Sequence, residues 1–266
     1  MLPVCYRSNG PTNDTVTAEA DPELADSMPE LSIIIPCLNE RPSIAECVRV
    51  ALAALERYDI DGEIIVIDNG STDGSAEEAA QAGAKVVTED RRGKGRAVRV
   101  GIAASSAQYL VMSDGDGTYD LLDLQALMEP LRDGFDMVIG DRMKGTMAPG
   151  AMPWHHRYIG NPVLNVLMTL ATRRWFGDCL SGLRGFTRAA WNEMALTSNG
   201  FELESEMCIQ AARNRLRVTT FPINYAPRRA PSKLSSVKHG FAIASFIIRN
   251  ALPAPFRSGS DPKPQQ

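Results

Sequence analysis

The sequence predicts an α/β domain whose mainly parallel, mixed sheet is flanked by helices. Three observations carry this. Short apolar runs recur at 31–36 (LSIIIP), 63–68 (EIIVID), 84–88, 109–113 (YLVMS) and 137–140. Segments with helical periodicity separate them, and strand–helix–strand alternation means parallel pairing with helical cover. The 266 residues include 44% hydrophobic and 23% charged side chains, enough to bury one large core without disulfide or metal staples. That composition excludes collagen, coiled coil, a fully disordered chain and a disulfide scaffold.

Each element has a local reason. The LSIIIP run reads as a strand buried on both faces. Ser43 and Glu46 have the spacing of a capping box ahead of a helix to about Tyr58. Ser75 and Glu78 repeat that spacing, and Gly83 stops the second helix. Residues 95–105 and about 121–132 read as helices between the later strands. The second half breaks the rhythm, with helices expected over 161–176, 204–213 and 238–250 and a strand over 218–222. Residues 1–30, rich in Thr, Asn, Asp, Glu and Pro, read as a disordered acidic arm, and 253–266 as a disordered tail. The folded body is then 31–252.

The net charge of −4 hides a polarity. The arm sums to −5, residues 31–141 to −10 and residues 142–266 to +11. A basic C-terminal half points to an anionic partner. Five Cys with no CxxC pair fit a reducing compartment, and no apolar run reaches the length of a membrane span. No secretory leader is visible and no nucleic-acid partner is expected.

Polar clusters close the predicted strands. The first ends in Pro36-Cys37-Leu38-Asn39-Glu40, the second in Asp68-Asn69-Gly70, and the fourth in Asp114-Gly115-Asp116. Arg91-Arg92-Gly93-Lys94-Gly95 follows the third. In open α/β sheets, ligands bind at the carboxyl ends of strands. Two carboxylates around one glycine can hold a divalent cation that bridges phosphates, and Gly115 lets the backbone come close. Asp114–Asp123 fails as a calcium loop, because Tyr119 stands where glycine is needed. Gly93–Val98 fails as a dinucleotide loop, because Val98 replaces the third glycine. A haloacid-dehalogenase-like phosphatase would share the Asp114-Gly-Asp116-Gly-Thr118 pattern, but residues 142–266 hold six acids and no later Asp pair.

Together the four clusters resemble the GT-A (Rossmann-like) glycosyltransferases of family 2, over about residues 31–235. The resemblance implies that Pro36, Leu38, Asn39, Glu40, Asp68 and Lys94 bind a nucleotide-sugar. It also implies that Asp114, Gly115 and Asp116 form a DxD motif holding Mg²⁺ or Mn²⁺. Asn69 departs from the family, where a second Asp is common. Gly140-Asp141-Arg142, Trp154-His-His-Arg157, Asp178–Phe186, Glu206 and Ser232-Lys233 occur in the order seen in the dolichyl- and polyprenyl-phosphate hexosyltransferases. That branch typically has Tyr where Leu38 stands and Gln after its DxD. The resemblance makes Arg142, Arg157, Ser181, Arg184, Arg229 and Lys233 candidates for the acceptor phosphate, and Asp116, Arg142 and Glu206 candidates for catalysis. Glu202, Glu204 and Glu206 form an acidic cluster entering a helix; an acid favoured at the helix amino end is one reading for Glu204, and the roles of Glu202 and Glu204 stay open at this point.

The implied reaction is an inverting transfer of one hexose, from UDP-glucose or GDP-mannose to a polyprenyl phosphate at the cytosolic membrane face. The enzyme is expected to be peripheral, or anchored by a membrane partner. The helix over 161–176, ending in Arg-Arg-Trp-Phe, suits an interfacial position and equally a core helix. Gln210-Ala-Ala-Arg213-Asn214 lacks the Trp of processive members, so a single transfer is expected. The alternatives are a soluble family 2 transferase with a small phosphorylated or hydroxyl acceptor, and a non-catalytic nucleotide-sugar-binding protein.

Overall fold

The computed structural model describes residues 28–229 and 236–251. Most of the predicted arm, the whole tail and Lys233 lie outside the described residues. Seven strands form one sheet: β1 (Leu31–Cys37), β2 (Gly62–Asp68), β3 (Lys85–Thr88), β4 (Tyr109–Met112), β5 (Met137–Asp141), β6 (Arg184–Thr187) and β7 (Val218–Pro222). Their spatial order is β3-β2-β1-β4-β6-β5-β7. Strand β6 alone runs against its neighbours β4 and β5. The antiparallel β6 and the short helix α6 (Arg188–Met194) behind it carried no local signal, because RGFT is too short and too polar to read as a strand.

Successive apolar residues of the inner strands point to opposite faces. Ile34, Ile65, Ile67, Leu110 and Met112 join one core, while Ile33, Ile35, Ile64, Val66 and Val111 join the other. The first core is covered by α3 (Lys94–Ala103), α5 (Asn161–Thr172), α7 (Leu203–Arg213) and α8 (Ser236–Ala251). The second is covered by α1 (Ile44–Arg57), α2 (Ser75–Gln81) and α4 (Gln125–Arg132).

Neither predicted capping box forms. Ser43 flanks α1, but its hydroxyl donates to the Gly115 carbonyl at 2.8 Å, and Glu46 pairs with Arg49. Ser75 lies inside α2 behind Gly74, accepts from the Glu40 amide and donates to Asp73. Both serines tie separate loops together, which outcompetes a local cap. The helix expected over 161–176 stops at Thr172, where Arg173 turns left-handed (φ 55°), so Trp175 and Phe176 leave the helix. A π-helical turn (His156–Gly160) precedes it. No described helix is long and apolar enough to cross a membrane.

Candidate active site

The carboxyl ends of β1, β2 and β4 lie side by side because these three strands pair in parallel register. Their polar loops therefore meet at one edge. At β2, the Asp68 carboxylate accepts from the Ser71 amide at 3.0 Å. Beside it, Asn39 adopts a left-handed conformation (φ 50°) and accepts from the Thr72 amide at 2.8 Å. Asn69 is buried and fully used. Its Nδ2 donates to the Glu89 and Arg91 carbonyls at 2.7 and 2.9 Å, and its Oδ1 accepts from the Gly93 amide at 2.7 Å. A carboxylate could not donate those two bonds. The departure from the family's common Asp is thus a brace for the loop leading to Lys94.

Each DxD carboxylate is held by a cation that also holds a glutamate. Lys94 Nζ lies 2.6 Å from Asp114 Oδ1 and 2.6 Å from Glu204 Oε1. Burial opposes the Lys94 ammonium, but the two carboxylates outweigh it and raise its pKa, so it stays charged. The Arg228 guanidinium lies 3.1 Å from Asp116 Oδ2 and 3.1 Å from Glu40 Oε1. Asp116 Oδ1 accepts from the Thr118 amide and hydroxyl at 3.0 and 2.6 Å. Two acids per cation leave each group with a net −1, so a negative edge faces the crevice.

Arg228 reaches Asp116 because the segment after β7 crosses the DxD turn. The Ala226 amide donates to the Thr118 carbonyl and the Tyr225 amide to the Thr146 carbonyl, both at 2.9 Å. A cavity of about 350 Å³ opens there, lined by Cys47, Tyr119, Tyr225 and Arg229 among others. The Tyr119 hydroxyl accepts from the Gly182 amide at 2.8 Å. Burial lifts that phenol's pKa, which keeps it neutral. A Cβ on Gly182 would lie 2.4 Å from Asp114 Oδ2, so only glycine admits the carboxylate there. At Gly115 a Cβ would press on Ile44 and Ile35, at 3.1 and 3.2 Å, so core packing adds to the reason for a small residue.

The structure thus brings Glu40, Lys94, Asp114 and Asp116 into two ion-paired groups, one on each carboxylate of the Asp114-Gly-Asp116 turn. It places the other predicted residues differently. Arg142 is buried, and Asp178 grips it bidentately at 2.5 and 2.9 Å while Tyr225 stacks 5.3 Å away. Arg184 is wholly buried and donates to the Ser181, Glu204 and Cys179 carbonyls. Ser181 is buried beside it, and its hydroxyl has no hydrogen-bond partner. Both Glu206 oxygens accept from residues 197–198. Arg157 is exposed on the Tyr158 ring, and Arg229 is exposed beside Gly117. Arg228 and Glu204 were missed as site residues. Arg228 adjoins Arg229 with no pattern to separate them, and Glu204 looked like an ordinary helix-start acid.

The donor set fits Mg²⁺ or Mn²⁺. Carboxylate oxygens are the ligands these hard ions prefer, and Mg²⁺ commonly takes only one or two of them plus substrate phosphates. Among the described residues no three His, Cys, Asp or Glu side chains converge as a complete metal cage.

The glycosyl transferase family 2 pattern matches residues 32–194, more than half of the chain. The chain belongs to glycosyl transferase family 2. This family 2 chain is 38% identical over 224 residues to the glycosyltransferase AglJ of Haloferax volcanii, covering 82% of this chain and 71% of AglJ. It is 37% identical over 241 residues to the low-salt glycan biosynthesis hexosyltransferase Agl6 of the same organism, covering 90% of this chain. It spans only 57% of the length of Agl6. A dolichyl-phosphate hexose transferase of H. volcanii is 29% identical over 224 residues, with 84% of this chain and 94% of that one covered. Among solved structures, glucosyl-3-phosphoglycerate synthase from Mycobacterium tuberculosis, in complex with Mn²⁺, UDP-glucose and phosphoglyceric acid, superposes with a TM-score of 0.65. Its identity is 23%, with 87% of this chain and 83% of that one covered, a likeness of fold. The GT-A expectation is met.

Proposed function

We propose that this family 2 glycosyltransferase moves a single hexose, with inversion, from UDP-glucose or GDP-mannose to a polyprenyl phosphate at the cytosolic face of a membrane. The observation that carries the lipid acceptor is an exposed apolar face on the acceptor half. Trp154, Tyr158, Ile159, Val163, Val166, Leu170 and Trp175 stand in solvent, Leu170 at 74%. On α5 the stripe lies opposite Leu164 and Met168, which are in the core, so the helix serves both. Helix α8, packed against α5, adds Phe241 and Ile248. Arg157, Arg173 and Arg249, all exposed, belong to the same segments, whereas Arg174 is partly buried on the Leu216 and Val218 carbonyls. An apolar face rimmed by basic residues suits an anionic membrane surface. The likeness to a dolichyl-phosphate hexose transferase supports the same acceptor.

The residues divide the work. The Pro36–Glu40 segment and Asp68 line the base and ribose end of the donor site, with Gly93 and Lys94 near its diphosphate. Asp116 and Asp114 would hold Mg²⁺ or Mn²⁺, which supplies positive charge to the donor diphosphate when bound. Lys94 remains with Asp114, and Arg228, which also pairs with Glu40, remains with Asp116. Arg157, Arg229 and Lys233 would hold the acceptor phosphate. Arg142 and Arg184 brace the wall behind it through Asp178 and backbone carbonyls. A phosphate monoester is already largely ionised near neutral pH, its second pKa being about 6, so it needs little help from a base. Its oxygen forms the bond to the anomeric carbon as the bond to the donor diphosphate breaks. The nucleoside diphosphate leaves with the electron pair.

The test incubates the protein with labelled UDP-glucose or GDP-mannose, Mg²⁺ or Mn²⁺, and a polyprenyl phosphate. Label is expected in the organic phase. Label passing only to a water-soluble phosphorylated hydroxy acid would overturn the lipid acceptor and leave a soluble transferase.

A further inference from the structure

We propose that Glu204 and Glu206 are positioning residues that set the donor-diphosphate end of the site, and that neither accepts a proton in the reaction. The inference rests on the donor-binding half of the proposed function and is independent of the acceptor. The two acids lie two residues apart in the first turn of α7, so their side chains leave the helix in different directions. Both arrive at the first turn of α3 by separate routes.

Glu204 takes the direct route. Its carboxylate lies 2.6 Å from Lys94 Nζ, and Lys94 in turn holds Asp114. Glu204 is buried, and the Arg184 guanidinium fixes its carbonyl at 2.9 Å. Asp114 therefore takes its position from a side chain on another layer of the fold.

Glu206 acts through a loop. One oxygen accepts from the Thr197 hydroxyl at 2.9 Å and the other from the Ser198 amide at 2.8 Å, while the Thr197 amide lies 3.1 Å from both. A buried carboxylate with that many donors is committed to the loop. The loop then lies against α3. The Asn199 carbonyl accepts from the Arg96 amide at 3.2 Å. A Cβ on Gly93 would meet the Asn199 oxygen at 2.3 Å, and one on Gly95 would meet the Ser198 oxygen at 2.4 Å. Arg99 closes the contact from outside, donating to the Ser198 carbonyl and the Asn199 side chain at 3.0 and 2.6 Å. The two glycines around Lys94 thus admit the loop that Glu206 holds. On its other side, Gly93 is bonded to Asn69. One turn of α7 grips both the lysine and the backbone that presents it.

The experiment titrates the full chain with Mn²⁺ plus UDP and Mn²⁺ plus GDP by calorimetry, without acceptor. Glu204→Gln is expected to weaken binding of the preferred diphosphate by roughly 10–100-fold, the usual cost of removing a group that orients a metal ligand. Glu206→Gln is expected to weaken it by about tenfold, with Glu206→Asp restoring part of the loss. With turnover followed against pH, both Gln variants are expected to keep the wild-type ionisation limbs. Unchanged diphosphate binding in Glu206→Gln, with turnover sharply lowered and one limb lost from what remains, would show proton transfer and overturn the inference. Should both Gln variants fail to fold, Arg99→Ala decides, since it loosens the same loop from the surface. Weakened diphosphate binding supports the inference, and unchanged binding overturns it. Wild-type protein that binds neither diphosphate overturns the donor reading and this inference with it, whereas failure with the lipid acceptor alone leaves both intact.

Discussion

The donor edge and the acceptor flank of this molecule solve opposite problems. At the donor edge, Asp68, Asn69, Asp114 and Asp116 all have hydrogen-bond or ion-pair partners, Asp68 within its own turn and the other three from elsewhere in the fold. On the acceptor flank, one stripe of α5 and part of α8 carry exposed apolar side chains that none of the described residues covers. A small, highly charged ligand is bound by groups already in place, because reorganising dipoles and charges on binding costs affinity. A lipid is bound by a surface, because a long apolar chain and the membrane that holds it present area and no fixed geometry. The difference teaches that the two substrates are recognised by different physics in one domain.

The largest expected effect breaks the donor side. Asp116→Ala should lower kcat/KM by about 10²–10³-fold, the scale for losing one preorganised electrostatic contact. Steady-state transfer assays check this, and full activity would remove the metal assignment.

Asn69→Asp sharpens the comparison, since it restores the acid common in the family. It should cost about 1–3 kcal/mol in urea unfolding, because the Glu89 and Arg91 carbonyls lose their donor and face a carboxylate. Unaltered stability would mean that the brace is dispensable.

The smallest effect probes the acceptor flank. Leu170→Ser should change stability by less than about 0.5 kcal/mol, because Leu170 is exposed. Binding to anionic vesicles, measured by co-sedimentation, should fall about tenfold, the loss expected for one buried leucine. A variant that binds vesicles as the wild type does would separate this stripe from the membrane.

The sequence by itself determined the parallel core and its polar edge. Runs such as LSIIIP and EIIVID announce buried strands through local periodicity, and Asp68, Asp114 and Asp116 follow them directly, so their place at the strand ends needed no tertiary knowledge. Tertiary structure decided which charges meet. Arg228 and Glu40 are 188 residues apart and pair only because the segment after β7 crosses the DxD turn. Lys94 finds Glu204 only because the fold brings the first turns of α3 and α7 together. Arg142 and Arg184 have the composition of anion binders and are spent on Asp178 and on carbonyls. Strand β6 was illegible for the same reason, since its four residues are strand only between β4 and β5. Hydrophobic periodicity is a property of neighbours along the chain, whereas an ion pair depends on sheet order and helix placement, which no short stretch of sequence contains.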